Sequence, residues 1–176
     1  MDHATDASLG PALDAAVREV ERHTSAAGWD RPPALYALIR TTELVRDEPE
    51  VAGRLALDAA TAGVLTPVAQ EDLVLDGPVA AMLAGIDWPD PVVGAVLVLE
   101  TVAVPDDVED DAPEADANAW AARHPRRQEA RIVVGVLRTG SRAAALRWRG
   151  HDADEDVVTG PDLAPALTDA LGRTLR

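Results

Sequence analysis

Leu13, Ala16, Val17 and Val20 recur at helical spacing across residues 10–27, so this stretch predicts an amphipathic helix. Pro11 suits its first turn and Gly28 its end. WDRPP then reads as a rigid turn, and the short apolar run ALYALI (34–39) predicts a strand. Residues 43–57 read as one or two short helical turns interrupted by Pro49. From 58 to 75 the pattern is weak, with Leu-Thr-Pro as a turn or helix start. Asp76 is placed to cap a helix running to Ala84 and ended by Gly85.

The second half of the chain is patterned more strongly. Two prolines in IDWPDP keep pairing from starting before Val92, and residues 92–104 then predict a long strand. Its first half, VVGAVLVL, is apolar at both parities, as expected of a strand covered on both faces. Residues 105–118 have no period and read as a solvated, mobile loop. RIVVGVLRTGSRAAALRWR (131–149) predicts a β-hairpin turning at Thr-Gly-Ser. Ile132, Val134 and Val136 share one face with Ala144, Leu146 and Trp148. Arg147 and Arg149 point the other way, which predicts a face turned to solvent or a partner. Leu163, Leu167, Leu171 and Leu175 repeat every four residues and predict a closing helix, with Asp162 as cap and Pro165 in the first turn. There is no internal repeat. The whole predicts one α+β domain over residues 1–176. Its antiparallel sheet would have about four or five strands, with helices packed mainly on one face.

Composition narrows the function classes. Hydrophobic residues make up 47% of the 176-residue chain, enough for a sizeable core, while aromatics are 3% and Phe is absent. With no Cys, disulfide and thiolate chemistry are excluded. All 16 basic residues are arginine, a bias of the kind GC-rich bacterial genomes produce. A net charge of −15 disfavours nucleic acid and anionic membrane as partners. The acidic N-terminus is unlike a secretory signal, and the longest apolar run falls well short of the roughly 20 residues needed to span a bilayer. A cytoplasmic protein is expected.

Charge is unevenly distributed along the chain. Residues 105–118 hold seven acids and no base. Residues 123–149 hold eight arginines against Glu129, a net of +7, and residues 150–162 hold five acids and no arginine. Either the acidic segments screen the hairpin, or the arginines form an anion receptor, since guanidinium forks pair with carboxylate or phosphate. Arg131, Arg147 and Arg149 on the hairpin face, with Arg138 and Arg142 flanking the turn, are the candidate contacts.

Other motifs carry less chemistry. His151, Asp152, Asp154, Glu155 and Asp156 form an acidic histidine stretch without a second nearby histidine or the glycine spacing of an EF-hand loop. It is expected to be a polar loop whose acids favour the N-terminus of the closing helix, with no metal bound. HPRRQ (124–128), which runs from His124 to Gln128, is either a turn whose histidine shuttles a proton beside a substrate and an orienting group or a surface turn entering the sheet, and the surface turn is expected. Trp88 in DWPD is expected to plug the core or anchor an interface. The chain has no G-x-S-x-G elbow, P-loop, G-x-G-x-x-G or H-E-x-x-H.

WP..V.GAVLVLE (88–100), HPRRQEARIVVGVLR.G (124–140) and LRWRGHD.DE.V.TGPDL.PAL (146–167), together with LYALI and TTEL, resemble a family of small acidic actinobacterial proteins. That family is known mainly by a propionibacterial locus tag and has no assigned activity. The resemblance covers most of the chain and implies a conserved bacterial cytoplasmic protein. It transfers no catalytic residue, and AAALRWR carries alanine where many relatives are expected to carry cysteine, so it supports no thiol mechanism. It does draw interest to Trp88, His124, Gln128, Arg131, His151 and Asp152.

The expected function is a non-enzymatic binding or adaptor protein without a cofactor. It would hold an acidic peptide, protein or small anion on the arginine-rich hairpin. The alternatives are a hydrolase or metal-dependent enzyme centred on His124, His151, Asp152 and Asp154, and a structural homodimer formed through the hairpin edge or Trp88.

Overall fold

A computed structural model describes residues 9–57, 63–71, 77–104, 106–109, 111, 113 and 115–176. The elements run α1 (Leu9–Ala26), β1 (Ala34–Arg40), α2 (Thr41–Asp47), α3 (Pro49–Arg54), β2 (Leu65–Ala69), α4 (Val79–Leu83) and β3 (Val92–Ala103). They continue with α5 (Asp106–Glu109), α6 (Ala117–Arg123), β4 (Gln128–Leu137), β5 (Arg142–Trp148), β6 (Val158–Thr159) and α7 (Pro165–Arg173). The strands form one antiparallel sheet in the order β2-β1-β3-β4-β5-β6. Asp76 and residues 105, 110, 112 and 114 of the acidic stretch lie outside the described residues.

The twelve-residue β3 is the organising strand, pairing with β1 on one side and β4 on the other. Its apolar positions supply two cores. Ala95, Leu97 and Leu99 join Val134, Val136 and Ala144 beneath α4 and α7, with Leu83, Trp88, Ala170, Leu171 and Leu175 closing that side. Val96 and Val98 join Val133, Ala143 and Ala145 beneath α1, where Leu9, Leu13, Ala16, Val17 and Val20 are buried. A fully buried Leu or Val contributes about 1.5–3 kcal/mol, so each layer has its own reason to stay docked. Helices therefore pack on both faces, where they were expected mainly on one. The closeness of α1 shows at Gly135, where a Cβ would stand 2.6 Å from Val17 Cγ2.

Six strands form where four or five were expected. The two extra ones are short edges that a period-two pattern does not reveal. β2 contains Pro67, which is tolerable because it pairs on one side only, and β6 has two residues. Gly28 (φ 87) ends α1 and Gly140 (φ 91) turns the hairpin, both in the left-handed region that glycine enters freely. α7 begins with Pro165 in its first turn, as expected. Its N-cap is Ala164 without a side-chain bond, so Asp162 is not the cap, and Leu163 stays 38% exposed ahead of the helix. No helix among the described residues is long and apolar enough to cross a membrane.

Candidate functional site

The arginines of the hairpin do not form one exposed face. Arg131 and Arg147 are direct partners across β4 and β5, and their side of the sheet is the one α1 covers. Arg131 is 0% exposed and Arg147 1%. Arg147 donates from Nε to Glu21 Oε1 (2.6 Å), from Nη2 to Glu21 Oε2 (3.1 Å) and Asp154 Oδ1 (2.7 Å), and from Nη1 to the Asp152 carbonyl (2.9 Å). The Glu21 hydrogen bonds hold its proton well above the usual arginine range, against the opposing effect of burial. Arg131 lies beneath Trp29, its guanidinium carbon 4.4 Å from the ring centroid, and donates from Nη2 to the Gly28 carbonyl and to Glu100 Oε1 (2.9 Å). Its Nε and Nη1 meet no acceptor. The expected solvent face is thus sealed at these two residues, and its charges are used to pin α1.

Arg149 is the outermost member of this end. It donates to both oxygens of Asp30 (2.8 Å each) and to Glu129 Oε2 (2.6 Å). Asp30 is held below the ordinary aspartate value first by the Arg149 hydrogen bonds. Asp152 accepts from Trp29 Nε1 (3.0 Å), so two acids of the histidine stretch, Asp152 and Asp154, serve Arg147 and Trp29. His151 bridges to Trp148 at the end of β5. His124 follows α6, where Nδ1 accepts from the Arg126 amide (3.1 Å) and the ring packs 4.8 Å from Trp120. Gln128 opens β4 opposite Ala103 and is exposed. Among the described residues no three His, Asp or Glu side chains stand together as a metal site. Trp88 is core, 8% exposed, with Nε1 donating to Thr174 Oγ1 (2.9 Å). β6 occupies the hairpin edge. It pairs there with Ala145 and Leu146 of β5.

Accessible positive charge collects elsewhere, at the hairpin tip. Arg138 and Arg142 on either side of the turn meet Arg173 and Arg176 at the end of α7 around an open recess of about 450 Å³. Arg138 donates only to neutral main-chain oxygens: Nε to Val92 O (2.7 Å), Nη1 to Leu175 O (2.7 Å), and Nη2 to Trp88 O (3.0 Å) and, more weakly, Pro89 O. These bonds fix the guanidinium without cancelling its charge. Arg142 pairs with Asp169 Oδ1 at 2.7 Å, and both side chains are about half exposed. Arg173 and Arg176 are exposed and have no ion-pair partner among the described residues. The Thr168 hydroxyl at the recess floor donates back to the carbonyls of Ala164 and Pro165.

Sequence reasoning named Arg138 and Arg142 but missed Arg173, Arg176 and Asp169. The leucine period had placed these on the helix, yet only the docking of α7 on β4, where a Cβ on Gly172 would touch Val136 at 3.6 Å, brings them to the turn. Glu21 was detectable: a carboxylate on the apolar stripe of α1, between Val20 and Thr24, calls for a buried cation. No curated protein and no solved structure matches the chain. The PPA1309-like protein model matches residues 13–176, and the chain belongs to that family.

Proposed function

We propose that the protein is a non-enzymatic binding protein whose ligand, a small anion or a short acidic peptide, docks in the recess between the hairpin tip and α7. The observation carrying this is charge. In a molecule of net −15, four guanidiniums surround one recess that holds a single carboxylate side chain, Asp169. Arg138, its N–H groups largely spent on neutral carbonyls, offers its uncancelled charge, while Arg173 and Arg176 offer guanidinium forks to an incoming carboxylate or phosphate. The lining supports holding a ligand over transforming it. It contains no His, and its hydroxyl, Thr168, has its proton committed to the preceding turn.

The test is amide-resolved NMR titration of the isotopically labelled protein with inorganic phosphate and with a tetra-glutamate peptide. Shifts should cluster at residues 138–142 and 168–176 and weaken with added salt, and Arg142→Gln should remove them. Shifts at Arg149 and Asp30 with none at the hairpin tip would overturn the assignment.

A further inference from the structure

We propose that the recess selects compact anions carrying at least two negative charges, and that Asp169 is its built-in competitor. This rests on the hairpin-tip recess being the binding site. The half-exposed Arg142–Asp169 pair is exchangeable. A ligand with one carboxylate would merely take the place of the Asp169 carboxylate on Arg142, exchanging one such bond for another. A second charge that reaches Arg173 or Arg176, whose guanidiniums have no acid partner among the described residues, adds an attraction with no acid to displace, so a ligand that spans both places gains more than a ligand with one charge.

Shape and lining restrict the class further. The volume sits at the small end of ligand pockets. No aromatic side chain lines it, so nothing there stacks a nucleobase. Its apolar contributors, Val136, Leu137 and Leu175, are themselves buried and offer no trough for an acyl chain. The ligand is therefore all head: a small molecule whose charged groups, phosphoryl or carboxylate, make up most of its surface.

Calorimetric titration at fixed ionic strength tests this with acetate, inorganic phosphate, inorganic diphosphate and citrate, on the wild-type chain, Asp169→Asn and Arg173→Gln. Affinity should rise from acetate to diphosphate and citrate. Asp169→Asn should tighten diphosphate about two- to fivefold and acetate by less, because removing a fixed negative charge helps a ligand in proportion to its own charge. Arg173→Gln should weaken diphosphate about tenfold without changing the unfolding temperature. Whichever of diphosphate and citrate binds more tightly identifies the charged group preferred, and either order supports the inference. Equal affinity for acetate and diphosphate, or an Asp169→Asn gain independent of ligand charge, overturns it and leaves anion binding at the recess standing. No binding heat from any anion on any of the three proteins overturns both.

Discussion

Replacing Glu21 with Gln keeps nearly the same volume but removes the carboxylate that pairs with a guanidinium 1% exposed. Two short hydrogen bonds are affected, at 2.6 and 3.1 Å, and an amide presents only one acceptor where the carboxylate presented two. Breaking a buried ion pair from one side costs about 3–5 kcal/mol. Here Asp152 and Asp154 still neutralise Arg147, but their side chains are 47% and 78% exposed, so water screens their contribution. The expected loss is about 3 kcal/mol, at the low end of that range. That is a rise of about 150-fold in the unfolded fraction and a drop of about 6–12 °C in Tm for a chain of this size. Urea unfolding followed by the fluorescence of the four tryptophans measures it. The double substitution Glu21→Leu with Arg147→Met removes both charges together and should return to within about 1 kcal/mol of wild type, or exceed it. If Glu21→Gln unfolds at the wild-type midpoint, or the double variant is no better than the single one, the pair does not pin α1 as described.

Two further outcomes follow from the same geometry. Asp30, held low by Arg149, contributes stability that is present above the ordinary aspartate value of 3.8 and lost as pH falls through its lower folded value. An NMR titration should therefore place its midpoint below 3.8 in the wild type and near 3.8 in Arg149→Gln, and identical midpoints would refute the coupling. Gly94→Ala should destabilise by about 1–3 kcal/mol and by more than Gly135→Ala. At Gly94 a Cβ meets the Val136 main-chain oxygen at 2.6 Å, which cannot step aside, whereas at Gly135 it meets the side chains of Val17 and Leu13; paired urea curves decide the order.

What the sequence disclosed depended on whether a pattern had only one physical cause. The hairpin, α1 and the closing helix could be read because alternation and the four-residue period each select a single backbone geometry. β2 and β6 left no such trace: one contains a proline and the other is two residues long. The covered second face was announced by β3, apolar at both parities, but the alternation of Arg147 with Leu146 and Trp148 suggested open solvent. An arginine on a sheet face gives the same pattern whether water or a helix lies above it. Its neighbours at the same parity, Ala143 and Ala145, are 2% and 1% exposed, and small residues of this kind let a helix approach closely. Together with Glu21 on α1, they identify Arg147 as buried. The recess was half legible, since Arg138 and Arg142 flank a visible turn, while Arg173 and Arg176 join them only through tertiary packing.

Arginine is the only strong base in this chain, and its effect depends on what accepts its hydrogen bonds. Where carboxylates accept, as for Arg147 and Arg149, the charge is consumed internally and fixes α1 and the Trp29 turn. Where carbonyls accept, as for Arg138, the side chain is equally fixed but its charge survives. The overall charge of −15 does not erase that local field, because screening at physiological salt falls off over about 8 Å, so distant acids act weakly inside the recess. The same distant acids do oppose any partner large enough to lie across them. An extended acidic protein would meet repulsion over most of its contact area and attraction at one point, whereas a compact anion or a few acidic residues would meet the four guanidiniums with Asp169 as the opposing side-chain carboxylate of the lining. The charge map thus favours small ligands over large acidic partners, and does so independently of the size of the recess.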